Sequence, residues 1–324
     1  MRAVRYHEGG EPDVLQVDEI DRPTPAADEV LVAVRAASIN PTDAKRRRRG
    51  TGPVPKTTGS DFAGVVEAVG EGVEGVAVGD RVCGTGLHTT RFHRGAVADF
   101  VAVPTDVLTH LPDAVSFVQG AALALVGVTA WRGLRDHADL EPTDRVLIHG
   151  GTGGVGHVAV QLASAMRAHP VATANPDRVD DAASFGAEAV VPYTEADLLT
   201  ALRSHAPSGY DVVFDHRAFD HFGLDLEVAA VSGQVVLYGG IEGTVELPRA
   251  AMVKNCSVHA MTMSNLSNRE SFPSVASILE RILDLAADGH ITPHIARTYD
   301  LEESAEAHRA VMEDSYIGKL AIEI

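Results

Sequence analysis

The segment that most constrains this chain is a β-branched run, Val146 to Ile148, that breaks into Gly151-x-Gly153-x-x-Gly156 and then into an apolar helical pattern at Val158, Ala159, Leu162 and Ala163. Strand, glycine turn and helix together form the arrangement that receives the pyrophosphate of a dinucleotide. Gly151 permits the tight turn, Gly153 lets backbone approach the phosphates, and Gly156 lets helix and strand pack closely. The loop also contains Thr152, Gly154 and Val155, whose amides lie where a helix N-terminus presents free N–H groups and a positive dipole end to an anion. A glycine turn alone is often a plain structural corner; the strand before it and the helix after it favour a nicotinamide or flavin dinucleotide.

At 324 residues the chain exceeds what one core usually supports, so two domains are expected. Acidic residues number 45 against 27 basic ones, for a formal net charge of −18. Lysine is nearly replaced by arginine, remaining only at Lys45, Lys56, Lys254 and Lys319. This balance resembles that of proteins from salt-loving organisms, since at molar salt the Debye length is about 3 Å and self-repulsion is screened. An ordinary acidic surface kept for solubility is the alternative. Either surface repels nucleic acid and anionic membranes, so neither is an expected partner. No apolar run approaches the roughly 20 residues of a membrane span, and the N-terminus lacks the apolar core of a signal peptide. The two cysteines, Cys83 and Cys256, suit a reduced compartment. A cytoplasmic protein is expected.

Residues 1 to about 105 read as short strands separated by Gly and Pro clusters, and a helical pattern follows from Ala121 to Leu134. From Arg145 strands and helices alternate, which predicts an α/β doubly wound parallel sheet. Its strands are expected at 146–149, 171–173, 189–192, 212–215, 235–238 and 257–261. A long amphipathic helix over 273–288 and a last strand over 318–324 return to the β-rich part. The expected division is 1–124 with 264–324 as a discontinuous β-rich catalytic domain, and 125–263 as the dinucleotide-binding domain.

Several strings in order carry a resemblance over the whole length. They are Ala37-Ser-Ile-Asn-Pro-Thr-Asp43, Gly59-Ser-Asp-Phe-Ala-Gly-Val-Val-Glu-Ala-Val-Gly70, Val78-Gly-Asp-Arg-Val82, Gly127-Val-Thr-Ala-Trp131, the His149–Gly156 loop and Ile317-Gly-Lys-Leu320. The chain resembles the medium-chain dehydrogenase/reductase superfamily, and within it the zinc-free quinone oxidoreductase branch that includes the zeta-crystallins. The resemblance implies a Rossmann domain joined to a GroES-like β-rich domain, and a homodimer or homotetramer.

Zinc members of that superfamily carry a Cys where this chain has Asn40-Pro41, and a Gly-His-Glu where it reads Gly59-Ser60-Asp61. A catalytic zinc needs three protein ligands, and Ser60 is a poor one, so no metal is expected. Cys83, His88 and His93 are spaced like ligands but lack a fourth; they read as a turn-rich loop or a minor metal site. Without a Lewis acid, an alkoxide has no stabiliser, which favours reduction of an already electrophilic acceptor.

The strand that would carry an Asp or Glu for a ribose diol ends in Asn175, with Arg178 one turn on. A neutral end residue and a nearby guanidinium favour NADP(H), against which Asp177 and Asp180 place negative charge. The resemblance puts Tyr193 beside the 2′-phosphate and Thr129 at the nicotinamide amide. It puts Gly239 and Gly240 at the carboxyl edge of the sheet and Lys319 at the cofactor phosphates. His216 either lines the adenosine side or is a surface histidine.

For the acceptor, the resemblance points to Asn40, Asp43 and Ser60. Asn40 would donate to a quinone or enone oxygen as charge develops; Asp43 either orients Asn40 or caps a helix beginning there. Arg46–Arg49 stands where related reductases show aromatics, and reads as a solvated face, an anion attractor or an oligomer contact. The expected function is NADPH-dependent reduction of a quinone or activated alkene. Metal analysis separates it from a zinc-type alcohol or sugar dehydrogenase, and turnover separates it from a non-catalytic NADPH-binding protein on a retained fold.

Overall fold

The computed structural model describes residues 1–50, 52–86, 95–239, 244–263, 266 and 273–324. The chain divides into two units, one of Met1–Val128, Met263–Gly289 and Pro293–Ile324, the other of Thr129–Thr262 with His290–Thr292. The first break falls inside the helix Phe117–Trp131, after Val128. That helix starts earlier than its apolar run because Ser116 and Gln119 form a capping box: the Gln119 amide oxygen takes the Ser116 N–H at 3.0 Å, and the Ser116 hydroxyl takes the Gln119 N–H at 3.2 Å. A π-helical turn, Arg132–His137, continues it. Over Phe117–His137 the element is long and apolar enough to cross a membrane by composition, which the sequence reading did not anticipate; 78% of its apolar window is buried inside the protein, as in a core helix.

The first unit is built on the strand Glu29–Ile39, whose Val30, Leu31, Val32, Val34, Ala36, Ala37 and Ile39 are all buried. It pairs antiparallel with Asp61–Val69 on one side and Lys319–Glu323 on the other, and Phe100–Pro104 joins its first half. Arg81–Thr85 and Leu108–His110 extend this seven-stranded sheet at one edge and Ile295–Asp300 at the other, in its single parallel pairing. A further three-stranded sheet orders Leu15–Glu19, Arg2–Tyr6 and Lys56–Thr57. The helix Val275–Ala287 buries Val275, Ile278, Leu279, Ile282 and Leu283, a spacing that places one apolar stripe inward. The Ser274 hydroxyl caps it by accepting the Ser277 N–H at 3.1 Å. Ile295–Asp300 and a second helix, Ser304–Glu313, were not anticipated from sequence.

The second unit holds six parallel strands, Arg145–Ile148, His169–Ala174, Ala189–Pro192, Tyr210–Asp215, Ala229–Leu237 and Ser257–Ala260. Counted in chain order, they lie 3-2-1-4-5-6 across the sheet, all parallel. This is the doubly wound order of a Rossmann domain, with its switch point between the first and fourth strands. The core beneath includes Leu147, Val171, Val213 and Val235 from the strands and Phe222 and Leu226 from the helix Ala218–Val228.

Candidate functional site

In the first unit the strand Glu29–Ile39 delivers Asn40, and Pro41 opens the helix Pro41–Arg49, a proline position that costs no helical hydrogen bond. Asp43 bonds at the helix start and to Ser60, not to the Asn40 side-chain amide. Its Oδ2 accepts the Asn40 backbone N–H at 3.0 Å, and its Oδ1 accepts the Ser60 hydroxyl at 2.7 Å. Strand register supplies the rest. Ser38 lies opposite Asp61, and Asp61 Oδ2 accepts from both the Ser38 hydroxyl at 2.6 Å and Asn40 Nδ2 at 2.7 Å. Leu320 lies opposite Ile39, which sets the neighbouring Lys319 against Asn40. Its Nζ donates to Asn40 Oδ1 at 2.5 Å and to the Ile39 carbonyl at 3.1 Å. Lys319 was expected at the cofactor phosphates; its ammonium bonds within this network and is 3% exposed.

Asn40 is therefore held by both ends of its amide. An ammonium cannot accept and a carboxylate cannot donate, so the orientation of the amide is fixed, and one Nδ2 hydrogen is left over. Asn40, Asp43, Ser60, Asp61 and Lys319 are all buried. Burial pushes the Asp43 carboxyl up to about 6, with the Asp61 charge adding to the rise and the Ser60 hydroxyl, the Asn40 N–H and Lys319 opposing it. Burial raises Asp61 as well, against the pull of Lys319. The same desolvation lowers Lys319, while Asp61 and Asp43 favour its charged form. Two carboxyls share one ammonium in a dry site, so the second carboxyl binds a proton readily. Asp61 and Ser38 were missed as site residues; Asp61 stood in the Gly59-Ser-Asp61 string but carries no signal without its strand partner.

A catalytic zinc does not fit this cluster. It presents an amide and a hydroxyl, its two carboxylates already accept from the Asn40 N–H, Ser60, Ser38 and Asn40 Nδ2, and a buried ammonium sits on the amide oxygen. Cys83 is fully buried, and burial raises its thiol far above the usual range, which opposes the thiolate that metals bind. His88 and His93 lie outside the described residues.

In the second unit, the loop after Arg145–Ile148 turns at Gly150 (φ +70°) and the helix Gly156–Ala165 follows. A Cβ on Gly156 would lie 2.0 Å from the Gly150 carbonyl oxygen, and one on Gly151 would lie 2.6 Å from Ala172 Cβ. These two glycines are required by packing. Gly153 differs: it is exposed, and a Cβ there would meet only the Gly150 oxygen at 3.3 Å. Its outer side is open, as an approaching pyrophosphate requires, and the loop fits a dinucleotide. The residues that would hold it are Gly151 to Val155, with Thr152 buried and Gly154 and Val155 half-buried at the helix start.

Asn175 and Tyr193 end neighbouring parallel strands, the Tyr193 N–H donating to the Ala174 carbonyl at 3.0 Å. Asn175 caps a 3₁₀ turn, Pro176–Arg178, by accepting the Asp177 N–H, which leaves Arg178 half-buried and Tyr193 exposed beside it. Thr129 is buried in the helix Phe117–Trp131. His216 is exposed at the end of the fourth strand, with its Cε1 2.7 Å from where a Gly150 Cβ would stand, so it borders the loop. Gly239 is exposed in the left-handed region (φ +95°); Gly240 lies outside the described residues.

Beneath the loop is a buried polar cluster that sequence reading did not find. His149 Nδ1 lies 3.2 Å from Thr173 Oγ1 and its Nε2 3.0 Å from Asp225 Oδ1. Its ring stacks on His221 at 4.5 Å, and His221 Nδ1 lies 3.5 Å from Asp215 Oδ1. His149, Asp215 and His221 bring ligand-type atoms within 4.8 Å of one another. Both His149 nitrogens already face hydrogen-bond partners, so the cluster as arranged suits hydrogen bonding rather than a metal.

The comparisons with known proteins agree with this architecture. Residues 26–113 match the alcohol dehydrogenase GroES-like domain and residues 185–322 the zinc-binding dehydrogenase domain. The quinone oxidoreductase of Homo sapiens is 32% identical over 323 residues, covering 97% of this chain and 95% of that protein. The quinone oxidoreductase of Rattus norvegicus is 32% identical, with 99% and 97% covered. Among solved structures, Escherichia coli quinone oxidoreductase complexed with NADPH superimposes with a TM-score of 0.88 at 27% identity, covering all of both chains. An alcohol dehydrogenase superfamily protein from Novosphingobium aromaticivorans gives 0.90 at 31% identity, also over both full lengths. With its Rossmann order, its glycine loop and its antiparallel unit all matched end to end, the chain belongs to the medium-chain dehydrogenase/reductase superfamily, in its quinone oxidoreductase branch, and is an oxidoreductase.

Proposed function

We propose that this protein reduces a quinone or an α,β-unsaturated carbonyl with NADPH, without zinc. The observation that carries the reading is the Asn40 amide, fixed by Lys319 and Asp61 and adjoining the Ser60–Asp43 pair. A bound nicotinamide dinucleotide supplies the hydride. The remaining N–H of Asn40 stabilises the acceptor oxygen as negative charge develops on it. The reduction also needs one proton. Ser60 gives its hydroxyl proton to the substrate oxygen or carbon and recovers it from protonated Asp43, which ends as the carboxylate. Purified protein assayed for NADPH oxidation with quinones, enones and simple alcohols, alongside metal analysis, tests this directly. Oxidation of alcohols with a stoichiometric, activity-restoring zinc would replace it with the alcohol dehydrogenase reading.

The proton route has a pH signature. Only protonated Asp43 can resupply Ser60, and its carboxyl titrates at about 6, so kcat should be high below that pH and decline above it. Asp43→Asn keeps an acceptor for the Asn40 N–H and turns an N–H toward the Ser60 oxygen, but cannot cycle a proton, so its kcat should be lower and flat across pH 5 to 8, on the order of tenfold to a hundredfold down where the parent is most active. A variant with the parent's pH profile would remove Asp43 from the chemistry. Stability carries the opposite check. The folded state binds this proton more tightly than the unfolded chain, so folding stability falls as pH rises from about 4 to about 6; Asp61 and Asp225 are raised by burial too, so Asp43→Asn should make that slope shallower without abolishing it.

NADPH preference is supported by Asn175, half-buried Arg178 and Tyr193 gathered at two adjoining strand ends, and by the NADPH complex of the E. coli relative. Arg178→Ala should raise KM for NADPH about tenfold with little change for NADH, since Arg pairs a phosphate through charge-assisted bonds. Parallel kinetics with both cofactors decide it; equal effects on the two would place Arg178 outside the site.

The −18 charge supports a salt-adapted surface. Exposed pairs such as Arg203–Glu227 and Arg297–Asp314 weaken in salt, but each is worth about 0–1 kcal/mol, less than the relief of the net repulsion. Melting temperature should therefore climb with potassium chloride into the molar range; a flat or falling curve returns the surface to a solubility feature. Light scattering over the same series reads the assembly, for which we propose a homodimer or homotetramer. The edge strand Ser257–Ala260, with Val258, Met252 and Val253 exposed around it, supports self-association.

A further inference from the structure

We propose that Asp225, His149 and Thr173 form a directed hydrogen-bond relay that positions the glycine loop for the dinucleotide, with Thr173 as the residue that holds the loop. The proposal rests on the reading of the loop as the pyrophosphate site.

The backbone N–H of Gly150 donates to Thr173 Oγ1 at 3.0 Å, and the N–H of Gly151 donates to the Thr173 carbonyl at 2.8 Å. One residue on the second strand thus takes the first two amides of the loop. Its hydroxyl oxygen accepts from Gly150, so its own hydrogen is free to donate, and the acceptor 3.2 Å away is His149 Nδ1. That assignment leaves the His149 proton on Nε2, which points at Asp225 Oδ1 at 3.0 Å. Every donor then meets an acceptor along the line from Gly150 to Asp225, and the carboxylate sets its direction because it can only accept. His149 is 1% exposed, and Thr173 and Asp225 are equally dry. In such surroundings a misdirected hydroxyl has no water to compensate it.

The consequence is local. Gly150 adopts φ +70°, and the Gly153 N–H folds back onto the Gly150 carbonyl at 2.9 Å. The Thr173 hydroxyl holds the peptide entering Gly150 and the Thr173 carbonyl the peptide leaving it, whose own carbonyl takes the Gly153 N–H, so together they set the path of the loop through Gly153 to the following helix. Without the relay the Gly150 peptide can rotate, and the loop must be ordered when the anion arrives. Asp225 lies 76 residues from His149 in sequence, and neither it nor Thr173 needs to touch the cofactor. Both are positioning residues.

The experiment uses three variants of the full chain, with two readouts that do not depend on turnover. Thr173→Val preserves shape and deletes the hydroxyl; His149→Phe interrupts the relay; Asp225→Asn retains an acceptor oxygen for the Nε2 proton. Amide exchange at Gly150 is measured without dinucleotide, and Kd for NADPH and NADH by protein fluorescence. Thr173→Val and His149→Phe are expected to speed exchange at Gly150 and weaken both dinucleotides about fivefold, the worth of one net hydrogen bond. Thr173→Ser should restore both readouts, and Asp225→Asn should stay close to the parent. Unchanged exchange and unchanged Kd in Thr173→Val overturn the relay, as does faster exchange with unaltered affinity. If no form binds either dinucleotide, the parent included, while exchange still quickens, the relay stands and the cofactor reading of the loop fails.

Discussion

Asn40→Ala is expected to reduce kcat by roughly 10²–10³ while changing dinucleotide affinity little, the range seen when one donor to a developing oxyanion is deleted. The size follows from how the amide is held. Asn40 is 3% exposed, so water replaces its N–H poorly. Its orientation is prepaid by Lys319 on the oxygen and Asp61 on the nitrogen, so no reorganisation is needed as charge develops. Truncation has a second effect. It strips Lys319 of its side-chain acceptor, and a buried ammonium left short of partners costs about 1–3 kcal/mol, which should appear as a lower melting temperature. Asn40→Asp separates the two effects. It keeps an acceptor for Lys319 but places a carboxylate beside Asp61 and has no N–H for the substrate, so it should retain more stability and no more activity than Asn40→Ala. Measurements are kcat at saturating quinone, Kd for NADPH by fluorescence, and melting temperature. An Asn40→Ala variant with full kcat would reduce Asn40 to a helix-start residue and move the acceptor site elsewhere.

Signals that are local in sequence were readable before the structure. The glycine loop, its strand and its helix all lie between Arg145 and Ala165, and their spacing encodes the turn, the close packing and the helix N-terminus together. That the sheet is parallel and doubly wound also follows from sequence, because strands and helices alternate; the order of its strands does not. What could not be read is what depends on register across the sheet. Lys319 meets Asn40 only because Leu320 pairs with Ile39, and nothing near Lys319 in sequence signals that. The family-based assignment to the phosphates takes no account of this register. The His149–Asp225 contact likewise needs the helix Ala218–Val228 to bring Asp225 back to the end of the first strand. Ser304–Glu313 escaped notice for a different cause: its buried face is Ala307, His308, Ala310 and Val311, too small and too polar to show an apolar stripe. The start of the helix at Phe117 was legible in Ser116-x-x-Gln119 but was outweighed by the later apolar run.

The glycines of the loop make a sharper prediction, because packing assigns them different duties. A Gly156 Cβ would stand 2.0 Å from a backbone oxygen that cannot move without dragging Gly150 and the end of the first strand. Gly156→Ala should therefore destabilise the second unit by about 3 kcal/mol or more, as overpacking against backbone does, and dinucleotide binding should fail along with it. Gly153→Ala meets the Gly150 oxygen at 3.3 Å, which a shift of a few tenths of an ångström relieves. Its melting temperature should stay within about 2 °C of the parent, yet its methyl projects from the exposed side where a pyrophosphate must approach, so Kd for NADPH and NADH should both rise tenfold or more, roughly 1.4 kcal/mol. The pair dissociates folding from binding at positions three residues apart. Should Gly153→Ala bind dinucleotide as tightly as the parent, the anion does not lie against this turn, and the loop is a structural corner whose glycines serve packing alone. Should Gly156→Ala fold normally, the first helix can slide away from the Gly150 carbonyl, and the close helix–strand contact is not what fixes the loop.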